Sequence, residues 1–124
     1  MAKEVELLSP TYEEMRVIPA GAVVAGEVVK YNSVLGFMLI DHSAAQVAAG
    51  ESAALITKAA KCKVVKNTGE VWVPGEPVYW DPANSEFTNT PATLDLAGHV
   101  IEDVASAPII GYINFDGMAE LLVT

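Results

Sequence analysis

The chain nearly repeats itself, and what repeats are turn glycines set beside β-favouring residues. Gly26-Glu27-Val28-Val29-Lys30-Tyr31 recurs as Gly75-Glu76-Pro77-Val78-Tyr79-Trp80. Val34-Leu35-Gly36-Phe37-Met38-Leu39-Ile40-Asp41 is matched by Ile109-Ile110-Gly111-Tyr112-Ile113-Asn114-Phe115-Asp116. Gly50-Glu51-Ser52-Ala53-Ala54-Leu55-Ile56-Thr57 is matched by Gly117-Met118-Ala119-Glu120-Leu121-Leu122-Val123-Thr124. The blocks keep their order while their spacing changes, which places the differences in loops. On this alignment Gly26 answers Gly75, and Gly36 answers Gly111. None of the blocks gathers a nucleophile, a base or a metal-ligand set. The fold expected is mainly β: a small β-barrel or sandwich from two related halves, with at most one or two short helices. Its surface, rather than a pocket, is expected to do the work.

From residue 17 onward the pattern is that of strands, over 28–31, 34–40, 53–57, 61–65, 78–80, 86–88, 109–115 and 118–123. The run 34–40 is apolar enough to be buried on both faces. Asn32-Ser33 and Asp81-Pro82-Ala83-Asn84-Ser85 read as turns. Asn67-Thr68-Gly69 offers the positive-φ chemistry of a hairpin returning into Val71-Trp72-Val73. Residues 44–49 form a helical turn or a loop. Residues 93–105 are the one stretch open to a short helix, against which the β-branched Val100 and Ile101 count.

Residues 1–18 differ from the rest, with Glu4, Glu6, Glu13 and Glu14 among few apolar residues and a break at Pro10. Residues 5–8 read as a short strand or half a helical turn, and Thr11 and Glu14 have the spacing of a helix-start capping pair. So few apolar residues build no core. The division is therefore an N-terminal arm, 1–18, that docks on something, and a β-rich domain, 19–124.

A hydrophobic fraction of 52% against 19% charged excludes disorder over the whole chain. It also leaves more apolar surface than one small core hides, so burial between subunits of a homo-oligomer is expected. The net charge of −9, from 7 Lys and Arg against 16 Asp and Glu, argues against a nucleic-acid partner, which needs a basic face. Lys58, Lys61, Lys63 and Lys66 read as one solvated strand face. Cys62 stands alone, so no intramolecular disulfide forms, and it reads as a small buried apolar residue. No basic n-region with an apolar core opens the chain, so no secretory signal is expected. No apolar run approaches the ~20 residues of a membrane span.

Asp41-His42-Ser43 contains the residue types of a triad, but sequence neighbours do not make that geometry, and a turn is the simpler reading. His99 follows Gly98 at a junction. Asp81, Asn84 and Glu86 offer oxygens, yet an Asx-type turn accounts for them without a calcium loop. Glu102-Asp103 lacks a partner acid or base. Trp72, Tyr79 and Trp80 read as core or interface aromatics. No catalytic residue, cofactor or metal is expected.

Gly75-Glu76-Pro77-Val78-Tyr79-Trp80-Asp81, then Glu86-Phe87-Thr88, then Ile110-Gly111-Tyr112 resembles the small phage head-decoration, or capsid-cement, proteins. Gly26-Glu27-Val28-Val29 and Leu35-Gly36-Phe37 are similar to that family's earlier elements, and the resemblance runs over most of residues 17–124. It implies a non-enzymatic structural virion protein on the outer surface of an assembled phage capsid. Its partner would be the major capsid protein lattice, and its oligomer a homotrimer. The family's arm meets the lattice, which makes Val5, Leu7, Leu8, Tyr12, Met15 and Arg16 capsid-contact candidates. A different virion-associated β-barrel adaptor or tail-associated protein is the alternative. A small hydrolase or lyase using Asp41, His42 or Glu102 is the remote one.

Overall fold

A computed structural model describes residues 4–117. Among the described residues the strands are β1 (Val5–Leu7), β2 (Tyr12–Val17), β3 (Val28–Tyr31), β4 (Val34–Met38), β5 (Ala53–Val65), β6 (Pro77–Asp81), β7 (Glu86–Thr88), β8 (Asp95–Val100) and β9 (Ile110–Asp116), and the one helix is α1 (Ala44–Ala48). The protein is mainly β, as its residue pattern requires. All strands belong to one sheet, in the order β3-β4-β5-β9-β8-β6-β7, with β1 and β2 on the other edge of β5. The sheet curls on itself: Lys66, just past the end of β5, meets Phe87 of β7 through a parallel bridge.

The order reads almost the same from either end because the chain is internally duplicated. Val24-Ala25-Gly26-Glu27 and Val73-Pro74-Gly75-Glu76 are the same turn. In each, the glutamate N–H donates to the valine carbonyl, at 3.1 and 3.2 Å. Each glycine has positive φ, 84° and 89°, as the third position of a type II turn demands. Gly26 N–H donates to Met38 O and Gly75 N–H to Val100 O, both at 2.8 Å. Val23 exchanges backbone bonds with His42 as Trp72 does with Val104.

The match of Gly26 with Gly75 therefore holds, but that of Gly36 with Gly111 does not. Val29 pairs with Gly36 and Val78 with Gly98, so Gly36 corresponds to Gly98. Met38 pairs with Leu55 and Val100 with Ile113, which sets β9 against the first half of β5. A side chain explains both glycines: a Cβ at Gly36 would lie 2.7 Å from the Ile56 carbonyl oxygen, and one at Gly98 would overlap the Asn114 carbonyl oxygen. Under this correspondence Lys58 answers Asp116, and the two pair with each other, so a pseudo-twofold axis passes between β5 and β9.

Other elements also depart from expectation. Tyr12–Val17 is a strand, not a helix start, because it pairs with β5 along its length and turns Met15 and Val17 inward. The stretch open to a helix carries β8, held between β6 and β9. The two strands expected within 53–65 are one, interrupted where the β5–β9 register shifts between Ala59 and Cys62. Gly69 does turn the chain, with φ 96°, but Trp72 pairs with Val104 rather than back on β5. The strand expected over 118–123 lies outside the described residues.

Two core clusters result. The larger holds Phe37, Ile56, Cys62, Trp72, Trp80, Phe87, Ile113 and Phe115, with Phe37 edge-on to Phe115 at 5.2 Å. The smaller holds Val17, Val23, Met38, Ala53 and Leu55. Strand β4 serves both, Leu35 and Phe37 facing one and Met38 the other, so it is buried on both faces as its composition anticipates.

Candidate functional site

The outer edge of β5 carries the N-terminal segment. Leu7, Glu6 and Val5 pair with Cys62, Lys63 and Val64, and β2 continues along the same edge from Tyr12 opposite Ala59 to Val17 opposite Ala53. The arm thus lies along the sheet instead of standing off it. Period-2 alternation then sorts the six candidate residues. Val5, 1% exposed, belongs to the larger core and Leu7 packs on it. Met15 packs on the smaller core. Leu8 and Tyr12 are exposed, at 43% and 38%. Arg16 is exposed and donates from Nε to Ser52 Oγ and from Nη2 to Ser52 O, at 3.2 and 3.0 Å.

Glu14 and Ile18, which are not among the six, share the exposed face with Tyr12 and Arg16. Their signal was the alternation itself, obscured by the Thr11/Glu14 capping pattern. Beside Tyr12 a shallow cleft of about 180 Å³ opens where β2, β5 and β9 meet, floored by residues 58–60 and 114–116. It sits at the register shifts of both pairings, between Glu13 and Glu14 and between Ala59 and Cys62. Its lining includes Glu13, Lys58 and Asp116 but no nucleophile–base pair.

The residues with the look of chemistry have separate structural tasks. Asp41 Oδ1 accepts the Ala25 N–H at 2.9 Å. His42, 3% exposed, bonds through Nε2 to Glu51 O at 2.9 Å. Ser43 caps α1, its Oγ accepting from Gln46 N–H while Gln46 Oε1 accepts from Ser43 N–H. Asp81 accepts from Ala83 N–H and the Asn84 amide in an Asx-type turn. Glu102 pairs with Lys61 at 2.9 Å, and that hydrogen bond, with the charge behind it, raises the Lys61 pKa. His99 is exposed. Among the described residues no group of His, Cys, Asp or Glu side chains could hold a metal ion, and no helix is long and apolar enough to cross a membrane.

Two polar side chains are deeply buried, one as expected and one not. Cys62 is fully buried, and desolvation pushes its thiol up to about 12, the inert apolar role expected of it. Lys66 does not belong to the solvated lysine face. It is 1% exposed, and its Nζ donates to Asn67 O, Ser106 O and Pro108 O at 3.0, 3.3 and 3.0 Å. Burial pulls its pKa below the ordinary lysine value, and the three carbonyls stand in for lost water. Of the three flagged aromatics, Trp72 and Trp80 are core residues, while Tyr79 is half-buried.

The architecture is that of a small mainly-β protein built on one curled sheet. The phage cement protein family model matches residues 10–111, and the chain belongs to that family. No curated protein and no solved structure gives a significant match.

Proposed function

We propose that this protein binds the outside of an assembled phage capsid and stabilises it, as a homo-oligomer without catalysis, its partner being the major capsid protein lattice. Membership of the phage cement family over residues 10–111 carries the reading. The arm supports it: Leu8 and Tyr12 flank the turn between β1 and β2 and stay exposed, with both strands paired to β5. Of the six arm candidates, Leu8, Tyr12 and Arg16 are the ones free for such a contact, because Val5, Leu7 and Met15 are engaged by the cores. The chain's excess of negative charge suits a basic lattice site and limits adhesion to nucleic acid. Several copies anchored on one lattice turn modest contacts into lasting attachment.

The test adds purified protein to bare, expanded shells. Bound protein should sediment with the shells and raise the temperature at which they release DNA. Leu8→Glu should fold normally and lose at least about tenfold in shell affinity, since it replaces an apolar contact with a charge. Equal release temperatures for bare and decorated particles would remove the stabilising role, and no co-sedimentation would remove the capsid reading itself.

A further inference from the structure

Residues 103–109 join β8 to β9 with no helix or strand of their own. Residues 105–109 are exposed, and of 103–109 only Val104 packs on a core. Among the described residues the backbone bonds of this strap run to the segment 66–72. Trp72 and Val104 exchange two, Gly69 N–H donates to Ser106 O, and Lys66 N–H donates to Ile109 O. A strap that buries so little apolar surface opens readily unless something else fastens it. The corresponding connection in the other half, between β4 and β5, is braced from within by α1 and by buried His42, whose Nε2 bonds to Glu51 O.

The side chain of Lys66 spans the two segments. Its Nζ donates to Asn67 O on one side and to Ser106 O and Pro108 O on the other. Three acceptors call for three donors, which an ammonium has and a neutral amine lacks. Bonds from a charged donor are also the stronger kind. The Trp72 ring lies 6.0 Å from Nζ and offers its π-face. Burial opposes the charge, while the negative charge of Glu70 favours it. Glu70 is in turn fixed by the Trp72 Nε1–H, the Asn89 N–H and the Thr88 hydroxyl. We propose that Lys66 is a latch: an ammonium ion inside the fold that fastens residues 103–109 to 66–72, so that the strap opens as a unit when that charge is taken away.

Opening withdraws Val104 from Trp72 and from the larger core. The latch belongs to the free chain and stands whether or not the shell-binding reading holds. It also makes the two halves unlike in a way that their shared backbone hides: one connection braces itself, and the other is held by a cation from a different strand.

The first test needs only the purified chain. Proton–nitrogen NMR at neutral pH should show one slowly exchanging lysine ammonium, assigned to Lys66 through its side-chain carbons. Lys66→Met keeps the apolar stem but has no donor. It should speed amide hydrogen exchange at Gly69, Trp72 and Val104 together, at least about tenfold, through the loss of charged hydrogen bonds. Exchange in β3 and β4 should stay as it was. In Lys66→Ala, n-propylammonium replaces the missing side-chain atoms and should restore protection at those three amides. 1-Propanol and sodium ions should not, which separates a role for the charged donor from simple filling of space. A folded chain without the ammonium signal would overturn the proposal, and that measurement holds even where a substitution prevents folding. Unchanged exchange at the three amides in Lys66→Met, or rescue by 1-propanol as good as that by propylammonium, would overturn it equally.

Discussion

Val23 and Ala53 occupy in one half of this molecule the positions of Trp72 and Gly111 in the other. Around them the backbone hydrogen bonds are nearly superimposable: Leu39 N–H to Ala54 O answers Ile101 N–H to Tyr112 O, and the two glycine turns dock in the same way. The side chains are exchanged in a compensating manner. Trp72 is fully buried and its ring lies where a Cβ at Gly111 would stand. Val23 is smaller, and there the opposite strand carries alanine. The larger residue also brings a polar group needing a partner. Glu70 supplies it, accepting the Trp72 Nε1–H at 3.1 Å, and ties in the Asn89 N–H and the Thr88 hydroxyl; the residue corresponding to Glu70 in the other half is Gly21. A duplicated backbone therefore tolerates different cores provided that summed volume and hydrogen-bond satisfaction are kept.

Substitutions test how far the two halves are equivalent. The largest effect belongs to the paired close approaches. Gly98→Ala places a Cβ into the Asn114 carbonyl at a φ of 149°, so it should cost about 4 kcal/mol or more and leave little folded protein. Gly36→Ala meets the Ile56 carbonyl and the buried Leu55 side chain and should cost about 1–3 kcal/mol. Chemical denaturation of both decides, and an indifferent Gly98→Ala would undo the alignment of Gly36 with Gly98.

Next comes the volume exchange. Trp72→Val should cost about 3–5 kcal/mol through the cavity it leaves, and Gly111→Ala alone about 1–3 kcal/mol through collision with the indole. The double variant W72V/G111A copies the other half and should be more stable than the sum of the singles allows. Additive losses in urea would show that the two positions do not share a volume.

The smallest effect lies in the turns. Ala25 and Pro74 hold the same turn position, but only Ala25 has an N–H, which it donates to Asp41. Pro74→Ala should cost about 0.4–1 kcal/mol by loosening the unfolded chain. Ala25→Pro should bring no gain, because the lost bond offsets the stiffening. Equal and opposite changes in melting temperature would mean that the Asp41 bond contributes nothing.

Much of this was legible beforehand. Gly26 and Gly75 announce their turns because only a residue without Cβ adopts positive φ freely. Strands β3, β6, β7 and β9 follow from period-2 patterning, and β4 from its continuous apolar run. The same patterning misaligned Gly36, because Leu35-Gly36-Phe37 resembles Ile110-Gly111-Tyr112 locally as well as it resembles Ala97-Gly98-His99. The arm was legible as a distinct segment, but its exposed face was not, since a capping pair at Thr11 and Glu14 mimics a helix start.

The residues alone thus determined the local elements: β class, turn glycines, a solitary inert cysteine, an acidic surface, and an order of motifs sufficient to recognise the family. Those properties depend on steric and solvation preferences acting within a few residues. Which strands pair was decided only in three dimensions, because backbone hydrogen bonds are alike in every strand and do not name their partners. The same is true of Lys66, whose burial depends on the carbonyls of Ser106 and Pro108, some 40 residues on in the chain. Tertiary pairing with β5 likewise made Tyr12–Val17 a strand, since a six-residue ladder outweighs one helix cap.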